Sequence, residues 1–239
     1  MINEYFYTKS SQESAKHFSD NQEDFLLYHK GFQSQIKKWS EKPIDIIINE
    51  ISNNQIYKNA VIADLGCGDG LLYENFQNEN KKKIYSFDLC SHKDFIQVAD
   101  SRNIPLENEF CDVVVFCLAL MGTNYIEFLT EAKRLLKQKG HLMITEVNSR
   151  ITNMDLFIQM IENLGFKLVR KNVPNSYFCF LIFLKISDLD QKNHTLQTKV
   201  EKLNQIFIKS LRQKFPREHV KNLLQVSQIL LKPCIYKKR

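Results

Sequence analysis

The sequence predicts an α/β fold: a seven-stranded, mostly parallel sheet with an antiparallel edge strand, preceded by helices and followed by a helical extension. Three observations predict it. Val61-Ile-Ala-Asp64-Leu65 reads as a buried strand that runs into Gly66-Cys67-Gly68-Asp69-Gly70, a tight glycine turn before a helix. A second strand, Lys83-Ile-Tyr-Ser-Phe-Asp88, ends in an acid about twenty residues after that turn. The continuous apolar run in Asp112-Val-Val-Val-Phe116-Cys117 marks a strand covered on both faces, as parallel sheets require.

The remaining elements follow from periodicity and punctuation. The first forty residues are polar with scattered aromatics. Phe25 to Phe32 is expected to end one short helix, and Gln33 to Trp39 to begin another. Pro43 suits the first position of a helix, and Ile44, Ile47, Ile48 and Ile51 recur at helical spacing behind it. A third strand is expected over 95–99. A helix is expected over 124–137, with Ile126, Leu129, Leu135 and Leu136 on its apolar side and Gly140 ending it, and a fifth strand over 141–146. A helix over 153–164 is closed by Gly165, and strands over 166–173 and 177–185 form an antiparallel pair around Pro174-Asn175. Beyond it, Leu196, Val200, Leu203, Phe207 and Leu211, then Val220, Leu223, Leu224 and Leu231, predict a helical hairpin broken at Pro216. The chain thus divides into an N-terminal helical segment (1–55), an α/β core (56–186) and a basic extension (187–239).

At 239 residues, 44% hydrophobic and 25% charged, the chain can bury a sizeable core, which excludes wholesale disorder. The longest apolar run, Val113 to Met121, is too short for a membrane span, and no signal peptide is evident at the N-terminus. Six cysteines (67, 90, 111, 117, 179 and 234) show no C-x-x-C spacing, so a reduced compartment fits better than a disulfide scaffold, and no metal site is expected. The net charge of +6 is uneven: residues 187–239 hold 12 Lys+Arg against 4 Asp+Glu, and the rest of the chain is close to neutral. Such an appendage suits a polyanionic partner, although a solvated helix surface would look the same.

A strand, a glycine turn and an acid closing the next strand can hold an adenosine-containing cofactor, the acid receiving ribose hydroxyls. Dinucleotide sites want G-x-G-x-x-G, whose third glycine is here Leu71. The pattern actually present, D-x-G-x-G-x-G over 64–70, is the first motif of S-adenosylmethionine methyltransferases, so the expected architecture is the Rossmann-like class I fold of those enzymes. A structural turn alone could account for the glycines. The acid Asp88 and the run Val98-Ala-Asp100-Ser101, at the usual adenine contact, weigh against it.

Longer segments resemble one family, nucleomethylin or ribosomal RNA-processing protein eight. They are Tyr28-His-Lys-Gly-Phe-Gln-Ser-Gln-Ile-Lys-Lys-Trp39, Ala63-Asp-Leu-Gly-Cys-Gly-Asp69, Phe87-Asp-Leu89, Phe116-Cys-Leu-Ala-Leu-Met-Gly-Thr-Asn124, Glu146-Val-Asn-Ser-Arg150, Leu164-Gly-Phe-Lys167 and Leu231-Lys-Pro-Cys-Ile-Tyr-Lys-Lys-Arg239. The sequence departs from the family in lacking its long basic N-terminal extension and in inserting a segment at about 187–228. The resemblance implies methylation of N1 of an adenine in large-subunit ribosomal RNA. It further implies S-adenosylmethionine as cofactor, S-adenosylhomocysteine as product, a ribosomal RNA or pre-ribosomal particle as partner, and a nuclear, nucleolar location. Chromatin or nucleolar protein partners are also implied, and a scaffold that binds the cofactor with little catalysis is the alternative.

By the same resemblance, the N-terminal segment (1–55) packs on the cofactor site with His29 closing over the cofactor, and His29, Gly66, Cys67, Gly68, Asp88, Leu89, Asp100, Ser101 and Cys117 contact it. His29 could equally be a capping or core histidine. Adenine N1 carries a free lone pair, so catalysis is mostly positioning, with electrostatic help for the cationic base. Asn124, Glu146 and Met121 are the candidates at the substrate side. Asn124 could instead cap the next helix, and Glu146 could pair with Arg150. Lys30, Lys37 and Lys38 flank the pocket segment and could hold phosphates, or be solvated lysines.

Overall fold

The computed structural model describes residues 2–79, 82–91, 93–173, 177–186 and 230–233. The helical hairpin expected beyond 186 lies outside the described residues, as does most of the C-terminal motif. Among the described residues, seven strands form one sheet: β1 (Val61–Leu65), β2 (Lys83–Asp88), β3 (Ile96–Val98), β4 (Cys111–Cys117), β5 (Leu136–Val147), β6 (Phe166–Asn172) and β7 (Phe178–Lys185). Their order is β3-β2-β1-β4-β5-β7-β6. β1 to β5 pair in parallel, and β7 runs antiparallel to both β5 and β6. The chain winds outward from β1 to β3, returns to lay β4 beside β1, then winds the other way. That reversal leaves a crevice at the carboxyl ends of β1 and β4.

The alternation along β4 shows why its apolar run is continuous. Val113 and Val115 enter one core with Ile47 and Ile51 of α4 (Pro43–Asn53) and Leu72 and Phe76 of α5 (Leu71–Phe76). Val114 and Phe116 enter the opposite core with Leu129 and Leu135 of α6 (Tyr125–Leu135) and Phe157 and Met160 of α7 (Met154–Asn163). Each such buried side chain contributes about 1.5–3 kcal/mol. Pro43 is the first residue of α4, as expected.

Three further helices, α1 (Ile2–Thr8), α2 (Ser11–Asp20) and α3 (Gln22–Ile36), sit over the carboxyl ends of the strands. Phe6, Phe18 and Phe25 bury one another there, with Tyr28, Leu89, Cys90 and Met121 packed against them. A capping box starts α2: the Ser10 hydroxyl accepts from the Glu13 N–H, and the Glu13 carboxylate accepts from the Ser10 N–H.

Two local expectations need correction. The predicted break between two short helices near Gln33 is absent, and α3 runs unbroken through Gly31. Phe25, Tyr28, His29 and Phe32 fall on one face of it, and their packing outweighs the roughly 1 kcal/mol that a mid-helix glycine costs. Nor does Gly140 end a helix. α6 stops at Leu135, and β5 starts irregularly, with Cys111 opposite Leu136 but Val113 opposite His141. Gly140 sits where a Cβ would lie 2.9 Å from the Lys137 carbonyl oxygen, so close approach requires the glycine.

After the undescribed stretch, Leu230 and Leu231 are buried, and Leu231 forms an antiparallel bridge with Ile151 just beyond β5. The Thr152 N–H donates to the Leu230 carbonyl and the Lys232 N–H to the Arg150 carbonyl.

Candidate cofactor and substrate cleft

The crevice between β1 and β4 opens into a cleft of about 720 Å³, its mouth included. Its floor is built from strand ends. The Gly66 and Cys67 N–H groups both donate to the Phe87 carbonyl, tying the glycine turn to β2. Gly66 has φ 71°, and a Cβ there would lie 2.6 Å from that of Ala119, so the turn and the β4 loop close on each other only without a side chain. Asp88 ends β2 with each carboxylate oxygen already accepting a backbone N–H, from Gly68 and from Leu89, both at 2.7 Å. Burial pushes its carboxyl up to about 6, against the pull of those two donors. Its remaining lone pairs suit a vicinal diol.

Of the expected cofactor residues, His29, Gly66, Gly68, Asp88, Leu89, Asp100, Ser101 and Cys117 line this cleft, and Cys67 lines a connected lobe. Asp100 also binds Arg102, through its side chain and its backbone N–H, each at 3.0 Å. Burial pushes the thiols of Cys67 and Cys117 up, so both are neutral walls. His29 leans on Phe25 with ring centroids 4.3 Å apart and reaches over Gly68, forming a roof across both lobes.

The connected lobe holds a residue that motif reading treated only as part of a pattern. Asp64 is 1% exposed, and its Oδ1 has no hydrogen-bond partner. Burial, then the neighbouring Asp88 charge, pushes its carboxyl up to about 7. An orphaned carboxylate oxygen facing a lobe fits a cationic ligand group such as an ammonium.

The three substrate-side candidates separate. Met121 lines the cleft and its sulfur lies 3.7 Å from the Tyr28 hydroxyl. Asn124 and Glu146 do not line it. Asn124 precedes α6 but makes no side-chain cap bond to it. Its carbonyl oxygen accepts the Ser11 N–H at 3.0 Å and its amide reaches the Ser11 hydroxyl, clamping α2 to the β4 loop. Glu146 is fully buried against Arg150 at 2.7 Å, the local pairing its sequence neighbour allowed. Ser14 and Tyr28 line the cleft and were not singled out beforehand. The Ser14 hydroxyl is buried there without a hydrogen-bond partner. Leu118, with φ 56°, turns the β4 loop into the site in a conformation that non-glycine residues rarely adopt.

A family model described as a hypothetical methyltransferase matches residues 1–202. The chain belongs to this family. It is 40% identical to ribosomal RNA-processing protein 8 of Dictyostelium discoideum over 238 residues, covering 100% of this chain and 56% of that protein. It is 34% identical to the 25S rRNA (adenine(645)-N(1))-methyltransferase of Saccharomyces cerevisiae, covering 100% of this chain and 67% of that protein. The chain therefore spans only about half to two thirds of the length of these relatives. Among solved structures it is similar to the 1,6-didemethyltoxoflavin-N1-methyltransferase of Burkholderia thailandensis. That likeness has a TM-score of 0.58 at 14% identity, over 72% of this chain and 90% of that one. The fold is that of the class I S-adenosylmethionine-dependent methyltransferases, and the family's cleft fits that cofactor: a diol acceptor at Asp88, a Cβ-free turn at Gly66 and an orphaned carboxylate oxygen at Asp64. Among the described residues no cluster of His, Cys, Asp and Glu is placed to hold a metal ion, and no helix is long and apolar enough to cross a membrane.

Proposed function

We propose that this protein transfers a methyl group from S-adenosylmethionine to N1 of an adenine in large-subunit ribosomal RNA, within the nucleolus. The observation that carries the reading is the match along the whole chain to the yeast adenine-N1 methyltransferase, together with a cleft that suits the cofactor. When bound, S-adenosylmethionine supplies an electrophilic methyl group on a sulfonium. Asp88 holds the ribose hydroxyls by charge-assisted hydrogen bonds, and Asp64 faces the ammonium. Asp100 and Ser101 bound the adenine end, and His29 roofs the site. Met121 and Tyr28 wall the side on which the target base arrives. N1 needs no deprotonation, so these residues position the base for in-line transfer. N1 lies on the pairing edge, so the substrate adenine is unpaired or drawn out of a helix.

The test is incubation with isotopically labelled S-adenosylmethionine and unmodified large-subunit rRNA, followed by nucleoside mass spectrometry. Label in 1-methyladenosine, lost in Asp88→Ala, is expected. Normal cofactor binding with no labelled nucleoside would overturn the reading in favour of a cofactor-binding scaffold.

A further inference from the structure

Three side chains of α2 are buried: Ser11, Ser14 and Phe18. Both serines line the cleft, but they are not equivalent. The Ser11 hydroxyl is engaged, accepting from the Asn124 amide at 3.1 Å and reaching the Gln12 side-chain oxygen at 3.5 Å. Ser14 is 2% exposed, and its hydroxyl has no hydrogen-bond partner among the described residues. A serine inside a helix can satisfy its hydroxyl by bonding back to the carbonyl one turn earlier, and Ser14 does not. An orphaned hydroxyl in a protein interior is destabilising. One that lines a ligand cleft gains its partner when the ligand arrives.

A series of polar contacts fixes which end of the cleft α2 serves. Asn124 accepts the Ser11 N–H at 3.0 Å and donates to Glu127 at 2.8 Å. Glu127 faces Arg102 at 3.7 Å, and Arg102 donates to Asp100 at 3.0 Å. Phe128, next to Glu127, lines the cleft together with Asp100 and Ser101. The start of α2 is thus tied to the end of the cleft that Asp100 and Ser101 bound, and Ser14 follows Ser11 by three residues on the same helix face. The chemistry of the two sides is complementary. A carboxylate only accepts, so Asp100 can serve the exocyclic amino group of an adenine but not its ring nitrogens, which need donors. A hydroxyl is such a donor and rotates to suit.

Resting on the cofactor placement above, we propose that Ser14 donates its hydroxyl hydrogen to a ring nitrogen of the cofactor's adenine. The base is then held from two sides, its amino group by Asp100 at the sheet and its ring by Ser14 in the helical roof. Helix α2 takes part in recognising the cofactor as well as covering it.

The experiment measures, by titration calorimetry on the full-length protein, the affinity of S-adenosylhomocysteine and of its 1-deaza, 3-deaza and 7-deaza analogues. Each analogue replaces one ring nitrogen by C–H. Ser14→Ala should bind S-adenosylhomocysteine about three- to tenfold more weakly than wild type, the range of one neutral hydrogen bond. Wild type should lose a similar factor against one of the three analogues, whereas Ser14→Ala should bind that analogue as tightly as the parent compound. Without ligand, Ser14→Ala should melt no lower than wild type, because it removes an orphaned hydroxyl and places a better helix former in α2. The same analogue-to-parent ratios in both proteins would overturn the proposal, whatever the loss in Ser14→Ala, since a merely structural hydroxyl affects all four ligands alike. Asp88→Ala is the control for the placement itself. Weakened binding there, with equal ratios in wild type and Ser14→Ala, would remove the Ser14 contact alone. Asp88→Ala binding as tightly as wild type would overturn the cofactor placement and the Ser14 contact together.

Discussion

Arg150 should be the most consequential side chain outside the cleft. Its guanidinium meets Glu146 at 2.7 Å, donates to the Leu120 carbonyl at 2.9 Å and the Lys232 carbonyl at 2.8 Å, and lies 4.4 Å from the Tyr7 ring centre. It thereby joins β5, the β4 loop, α1 and the C-terminal segment at one buried point, itself only 3% exposed. Arg150→Met keeps an unbranched apolar stem, drops the guanidinium and removes every one of those bonds. Leaving a fully buried carboxylate unpaired costs about 3–5 kcal/mol. Two carbonyls that lose their donor add about 1 kcal/mol or more each. The sum, about 5 kcal/mol or more, is comparable with the whole stability of many domains. The double variant Glu146→Leu/Arg150→Met removes the stranded charge and should recover at least about 2 kcal/mol, but not all, since the carbonyls remain unsatisfied. Urea unfolding of the wild type, both single variants and the double variant completes the cycle. A loss below about 1 kcal/mol in Arg150→Met, or a double variant no more stable than it, would refute the reasoning.

Two other expectations follow from the cleft. Because the Asp88 carboxyl is held up at about 6 and hydroxyl donors need its carboxylate form, affinity for S-adenosylmethionine should fall as pH drops through about 6. Titration calorimetry of the wild type and Asp88→Asn checks it, the variant losing that step. The same raised values, with Asp64 at about 7, mean that the ligand-free fold holds more protons than the unfolded chain between about pH 4 and 7. Its stability should therefore decline as pH rises across that window, and less so in Asp64→Asn. The third expectation contrasts two glycines by thermal melting. Gly66→Ala, with φ 71° and Ala119 in the way, should lower the melting temperature and weaken cofactor binding. Gly31→Ala, in open space within α3, should stabilise by about 0.5–1 kcal/mol.

What could be read from the chain beforehand was whatever local pattern determines. The valines of β4, the glycines after β1 and the acid closing β2 carry their own geometry, because each constrains the backbone within a few residues. Asn124 shows the limit: its partner Ser11 is 113 residues away, and no spacing announces it. Glu146 departs from the substrate-side expectation for a different reason, and follows the alternative of pairing with Arg150. The end of β5 lies on the ligand side of the sheet, but strand position does not say which way a side chain turns, and this one turns to Arg150. The cluster of Phe6, Phe18 and Phe25 is equally non-local: the resemblance implies an N-terminal segment packed on the cofactor site, but no spacing names the three rings that bury one another there. Only a view of neighbouring atoms exposes the unpartnered oxygen of Asp64.

The docking of Leu231 beside Ile151 has a consequence for how this chain can vary. β7 ends at Lys185, opposite Phe166, at the far end of the sheet from the cleft, whereas Leu230 to Lys232 return beside the carboxyl end of β5. The described residues on either side of 187–229 are thus both fixed to the sheet. Closing a longer loop between fixed anchors is cheap, at about 0.6 kcal/mol per doubling of its length. Insertions and deletions there can accumulate with little penalty to the fold, provided the anchors survive. Diversification of length and charge is open to this stretch while the Arg150 junction stays under constraint.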